Sequence, residues 1–184
     1  MPAASRNTFS GLVLIAAAFI APPAASATGR IETSLTKPTI TDPAHPAVVN
    51  VRIRNTGDAP VSIMEWDTPL AKAGGRLPRS MFEVNDKDGN EVQYRGTWVY
   101  LGRLTMESFR LIYPGEVLSK DVDLEKEYRF LPNETYEVTY VLNLSREPDW
   151  DITSAAEAAS FVRPTQKSVS SNAVSITLGS LATP

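Results

Sequence analysis

The sequence predicts an all-β protein: an antiparallel β-sandwich with one short helix in a late excursion. Three observations predict it. Apolar and polar residues alternate in stretch after stretch, the two-residue period that places every second side chain on a buried face. Gly, Pro, Asn and Asp punctuate these stretches at short intervals, as turns require. Several short strands separated by regular turn signals suggest a sandwich.

Taken in order, the first strand predicted is 48–55, where Val49, Val51 and Ile53 form the core set and Asn50, Arg52 and Arg54 point the other way. Shorter strands follow at 61–66, 81–85, 91–94, 97–101, 108–113 and 117–124. The turn Asp86-Lys87-Asp88-Gly89-Asn90 joins two of them, because glycine takes a positive φ freely and Asx side chains bond back to the backbone. The longest strand carries Tyr136, Val138, Tyr140, Leu142 and Leu144 on one face. Residues 145–171 form the excursion, with a helix at 155–162 opened by the capping-box pair Ser154 and Glu157 and stopped by Pro164. Val174, Ile176 and Leu178 alternate with Ser175 and Thr177 in the last strand.

One position refines the class. In immunoglobulin-type sandwiches a tyrosine just inside the penultimate strand bonds its hydroxyl to the preceding corner. Tyr136, following Leu131-Pro132-Asn133-Glu134-Thr135, fits that role. Val138 then stands where antibody domains carry a disulfide cysteine. With no cysteine in the chain, apolar burial has to hold the fold alone.

Residues 1–27 read as a secretory signal peptide: Arg6 is their only charge, an apolar stretch covers residues 11–21, and Ala25-Ser26-Ala27 precedes Thr28. That stretch is too short for a membrane span, which needs about 20 apolar residues. Cleavage is expected after Ala27, leaving one sandwich domain over 28–184, secreted or periplasmic, with no transmembrane segment. The formal net charge is −3 with both signs intermixed, so no basic face is offered to nucleic acid.

Catalytic chemistry has few carriers. The single histidine, His45, lies between prolines in an expected extended loop, and a zinc hydrolase needs more ligands than it supplies. No Gly-x-Ser-x-Gly turn presents a serine nucleophile. Oxygen donors at Asp86, Asp88, Asn90 and Glu91 miss the EF-hand spacing, and Ala73-Gly74-Gly75-Arg76 lacks the strand-to-helix context of a phosphate loop. The expectation is no catalytic residue, no cofactor and no metal ligand. Asn133 and Asn143 stand in glycosylation sequons that matter only in a source that glycosylates.

The run Asn55-Thr56-Gly57-Asp58-Ala59-Pro60, continuing to Trp66-Asp67-Thr68-Pro69-Leu70, resembles the N-terminal domain that precedes the catalytic domain of deuterolysin-like and peptidyl-Lys zinc metalloendopeptidases. Phe82-Glu83-Val84, Asp88-Gly89, Val92-Gln93-Tyr94-Arg95-Gly96, Pro114-Gly115-Glu116, Val122-Asp123-Leu124, Tyr128 and Tyr136-Glu137-Val138 follow in the same order. The resemblance implies an immunoglobulin-type sandwich that works as a propeptide, assisting folding of the protease and covering its zinc cleft. No His-Glu-x-x-His occurs here. The implied role is therefore a non-catalytic binding protein, an inhibitor or folding escort whose partner is a deuterolysin-like zinc protease, with Trp66, Pro69, Leu70, Trp98 and Tyr100 as candidate anchors. The alternative is an envelope, adhesin or carbohydrate-binding sandwich, favoured if Trp98, Tyr100 and Trp150 cluster on one sheet face.

Overall fold

The computed structural model describes residues 27–38, 45–71 and 75–179; the expected signal peptide, except Ala27, lies outside them. The described chain forms β1 (Ile31–Thr36), β2 (Val48–Asn55), β3 (Val61–Met64), β4 (Phe82–Asn85), β5 (Phe109–Ile112), β6 (Val117–Asp123), β7 (Thr135–Asn143), α1 (Ala155–Ser160), β8 (Ser168–Ser170) and β9 (Val174–Thr177). One sheet has the order β1-β2-β6; the other is built on β7, with β4 along one edge and β8 and β9 along the other. A two-stranded piece, β3-β5, completes an all-β, immunoglobulin-like antiparallel sandwich.

Alternation explains the core. Val49, Val51 and Ile53 of β2 and Tyr136, Val138, Tyr140 and Leu142 of β7 are buried and belong to one cluster that runs from Ile31 to Leu178. Burying a large apolar side chain contributes about 1.5 to 3 kcal/mol, so a cluster of this extent holds the sheets together without a crosslink. Val138 is fully buried where a disulfide would otherwise stand. The Tyr136 hydroxyl accepts a hydrogen bond from the Leu131 N–H at 2.8 Å, the corner lock expected from the sequence.

Asn55 sits at the core parity of β2 and is fully buried because its amide is used completely. Its Nδ2 donates to the carbonyls of Ala59 (2.8 Å) and Ile112 (2.9 Å), while Oδ1 accepts from the N–H of Gly57 (3.0 Å). This knot ties the β2–β3 turn to β5, a physical reason for asparagine at the head of the Asn-Thr-Gly-Asp-Ala-Pro run.

The outer edge of β1 is closed by side chains. Gln166 Oε1 accepts from the Ile31 N–H at 2.9 Å; Asn172 accepts from the Leu35 N–H and donates to its carbonyl, both at 3.0 Å. Between β8 and β9 the register on β7 slips by one residue, from Val141 opposite Ser170 to Val138 opposite Val174, so the two are one strand interrupted by a bulge.

Several expectations change. Residues 91–94 make only isolated bridges, Asn85 with Glu91 and Tyr94 with Tyr128, and 97–101 is an irregular loop. Residues 65–67 turn into a 3-10 helix, so the strand expected over 61–66 ends at Met64. The helix is shorter than 155–162, although its capping box is complete: the Glu157 N–H donates to Ser154 Oγ, and Glu157 Oε2 accepts from the Ser154 N–H. The turn after β4 forms as expected, with Gly89 at φ 82° and its N–H donating to the Asp86 carbonyl at 3.0 Å.

Candidate partner-binding cleft

After the 3-10 turn Glu65–Asp67 the chain enters the Thr-Pro-Leu segment. Thr68 fixes it: its hydroxyl donates to the Glu65 carbonyl at 2.7 Å and accepts from the Leu70 N–H at 3.2 Å. Asp67, almost fully buried, anchors the turn from below through Arg146 Nε, 2.9 Å from Oδ2. Arg79 Nη1 stands 2.9 Å from Oδ1 without hydrogen-bonding alignment. Burial pushes the Asp67 carboxyl above the usual range, and the two guanidinium charges only partly offset it.

This arrangement presents Pro69 and Leu70 along one wall of a cleft of about 320 Å³, whose other lining residues include Leu77, Val122, Asp123 and Glu127. Glu127 is 2% exposed, yet it is well supplied with partners. Arg76 Nε lies 2.9 Å from its Oε1, Arg76 Nη2 lies 3.3 Å from Oε2, and the Leu77 N–H donates to Oε1 at 3.1 Å. Arg76 also donates to the Lys126 carbonyl. Hydrogen bonding and charge from Glu127 hold the guanidinium protonated beyond its ordinary range.

The same residue positions the next segment. The Arg95 N–H donates to the Glu127 carbonyl at 2.7 Å, and a β-carbon on Gly96 would stand 2.2 Å from Glu127 Oε2, so only glycine passes here. The Tyr94 hydroxyl lies within hydrogen-bond distance of the Leu77 (3.0 Å) and Thr97 (2.9 Å) carbonyls. Burial, with the Glu127 charge second, pushes its ionisation far above the ordinary phenol range, so it stays a neutral donor. The Val99 N–H bonds the Pro78 carbonyl at 2.9 Å and fastens the loop.

The candidate anchors therefore divide. Trp98 and Tyr100 stand out on this loop at 74% and 95% exposure, Trp98 resting edge-on against Tyr94 with ring centroids 5.8 Å apart. Pro69 is buried and Leu70 half-buried in the cleft wall; half-buried Trp66 lies outside the cleft lining. Trp150 belongs elsewhere. Its ring contacts Phe161 edge-on at 5.5 Å, Arg163 lies 5.3 Å over it, and its indole N–H donates to Glu147 at 2.8 Å. The sugar-stacking cluster on one sheet face does not form: Trp98 and Tyr100 are on a loop, and the ring of Trp150 is engaged. Sequence reasoning missed Arg76 and Glu127, since a pair 51 positions apart leaves no local pattern.

Comparison with known proteins gives a limited link. No family model matches the chain. Over 94 residues, 51% of this chain, it is 26% identical to an extracellular protease of Aeromonas hydrophila, of which the match covers 25%. The chain thus carries a protease-related similarity over half its length, and spans about a quarter of that relative. Among solved structures, a protein of Bordetella pertussis provisionally assigned as ApaA aligns with 83% of this chain and 96% of its own, at 15% identity and a TM-score of 0.38. A likeness at that level adds nothing to the argument.

Proposed function

We propose that the protein is an exported, non-enzymatic binding module that seats on a protease, as inhibitor or folding escort of a deuterolysin-like zinc enzyme. The observation that carries this reading is the loop of Trp98 and Tyr100. Two large aromatic rings are held in solvent by a frame of buried Glu127 with half-buried Arg76 and Tyr94, beside a cleft lined by both apolar and charged side chains. Tryptophan and tyrosine are the residue types that most often anchor interfaces, and a fixed loop spares the entropy of ordering on binding. The similarity to an extracellular protease supports a protease as the class of partner, and the propeptide-like motifs that build the Asn55 knot and the Tyr94–Gly96 turn agree with that choice.

The test is to mix purified protein with a deuterolysin-like protease and follow both peptide hydrolysis and refolding yield. Near-stoichiometric inhibition or improved refolding is expected, with Trp98→Ala weakening the complex by about 2 kcal/mol, or roughly 30-fold. Absence of a complex, or unchanged affinity after removal of both Trp98 and Tyr100, would refute the reading.

A further inference from the structure

At the far rim of the cleft, the structure brings the single histidine against two carboxylates. His45 Nδ1 lies 3.2 Å from Asp123 Oδ2, and donor atoms of His45, Asp123 and Glu125 all fall within 4.8 Å of one another. We infer that His45, Asp123 and Glu125 form a binding site for a divalent transition-metal ion. The inference is independent of the protease reading.

Two segments supply the donors; one backbone bond joins them and another fixes the His45 turn. The Leu124 N–H donates to the Ala47 carbonyl at 3.2 Å, and the Val48 N–H to the His45 carbonyl at 3.4 Å. Asp123 ends β6 and caps the 3-10 turn Leu124–Lys126: its Oδ1 accepts from the Glu125 N–H at 3.2 Å, which leaves Oδ2 for the imidazole. Oδ2 also has Lys126 Nζ at 3.3 Å. A monovalent ammonium thus already sits on the Asp123 carboxylate.

The donor set selects the ion. Calcium and magnesium take oxygen ligands almost exclusively, whereas one imidazole nitrogen with carboxylate oxygens suits zinc, nickel or cobalt. Three protein ligands leave at least one position open. His45 and Glu125 are exposed, so an ion reaches the site from solvent without opening the core.

Titration of the purified protein with zinc chloride, by calorimetry and by the imidazole resonances of His45, tests the site. One ion per chain is expected, with calcium chloride giving no saturable signal. His45→Ala and Glu125→Gln should each weaken binding by about tenfold or more, as loss of a ligand requires. Lys126→Gln should tighten it, because the competing ammonium is gone. The exposed positions of His45, Glu125 and Lys126 leave the fold intact, which circular dichroism checks. No saturable binding below about 1 mM zinc, or His45→Ala binding as the parent does, would overturn the inference.

Discussion

Removing Glu127 should loosen the cleft and the aromatic loop together. In Glu127→Ala the buried Leu77 N–H, 3.1 Å from Oε1, loses its acceptor, at a cost of about 1 to 3 kcal/mol. The one lost methylene adds about 0.8 kcal/mol. Arg76, 38% exposed, turns to water and adds little. A total near 3 kcal/mol lowers the melting temperature by roughly 6 to 12 °C for a domain of this size. Glu127→Gln keeps the stem and an oxygen for Leu77, and should cost about 1 kcal/mol. Thermal and urea unfolding of the three proteins, with tryptophan emission recording the Trp98 loop, gives the comparison. Equal stability of the Ala and Gln variants, or a loss below about 0.5 kcal/mol in both, would refute the account of Glu127 as the frame of the cleft.

Three further outcomes are expected. Gly96→Ala places a β-carbon 2.2 Å from Glu127 Oε2 and 2.3 Å from the Tyr94 hydroxyl, so it should displace the 97–101 loop, shift Trp98 emission and weaken partner binding. Tyr136→Phe strips the acceptor from the Leu131 N–H and should cost about 1 kcal/mol in urea unfolding, since that exposed corner is open to water. Hydrogen bonds from Arg163, and second from Trp150, lower the Glu147 carboxyl from 4.5 to about 2. The folded state therefore holds Glu147 ionised where the unfolded chain takes up a proton, so its stabilising contribution is present above pH 4.5 and lost as pH falls toward 2. A Trp150 emission transition in that window, absent in Arg163→Ala, checks this.

The sandwich was legible wherever alternation was strong. β2 and β7 expose a clean two-residue period, and Tyr136, Gly89 and the Ser154–Glu157 pair each declare a local geometry by residue type alone. β1 carried no such signal: its buried apolar residues, Ile31 and Leu35, are four positions apart, with polar or half-buried residues between them. The bulge before β9 interrupts the alternation that would have extended that strand back through β8. Residues 97–101 read as a strand because Trp, Val and Tyr favour strands, yet tertiary bonds from Tyr94 and Pro78 hold them as a loop with two rings in solvent. The Arg76–Glu127 pair and the approach of His45 to Asp123 depend on which turns the sheets bring together, and that is written in topology, not in spacing.

The amide of Asn172 occupies both hydrogen-bonding groups of Leu35, and Gln166 takes the one at Ile31. In effect two side chains impersonate a neighbouring strand. A foreign polypeptide arriving in extended form finds these sockets already filled, so ribbon-like growth from this border is discouraged. For a molecule with no sulfur bridges, that plug is a safeguard against polymerisation.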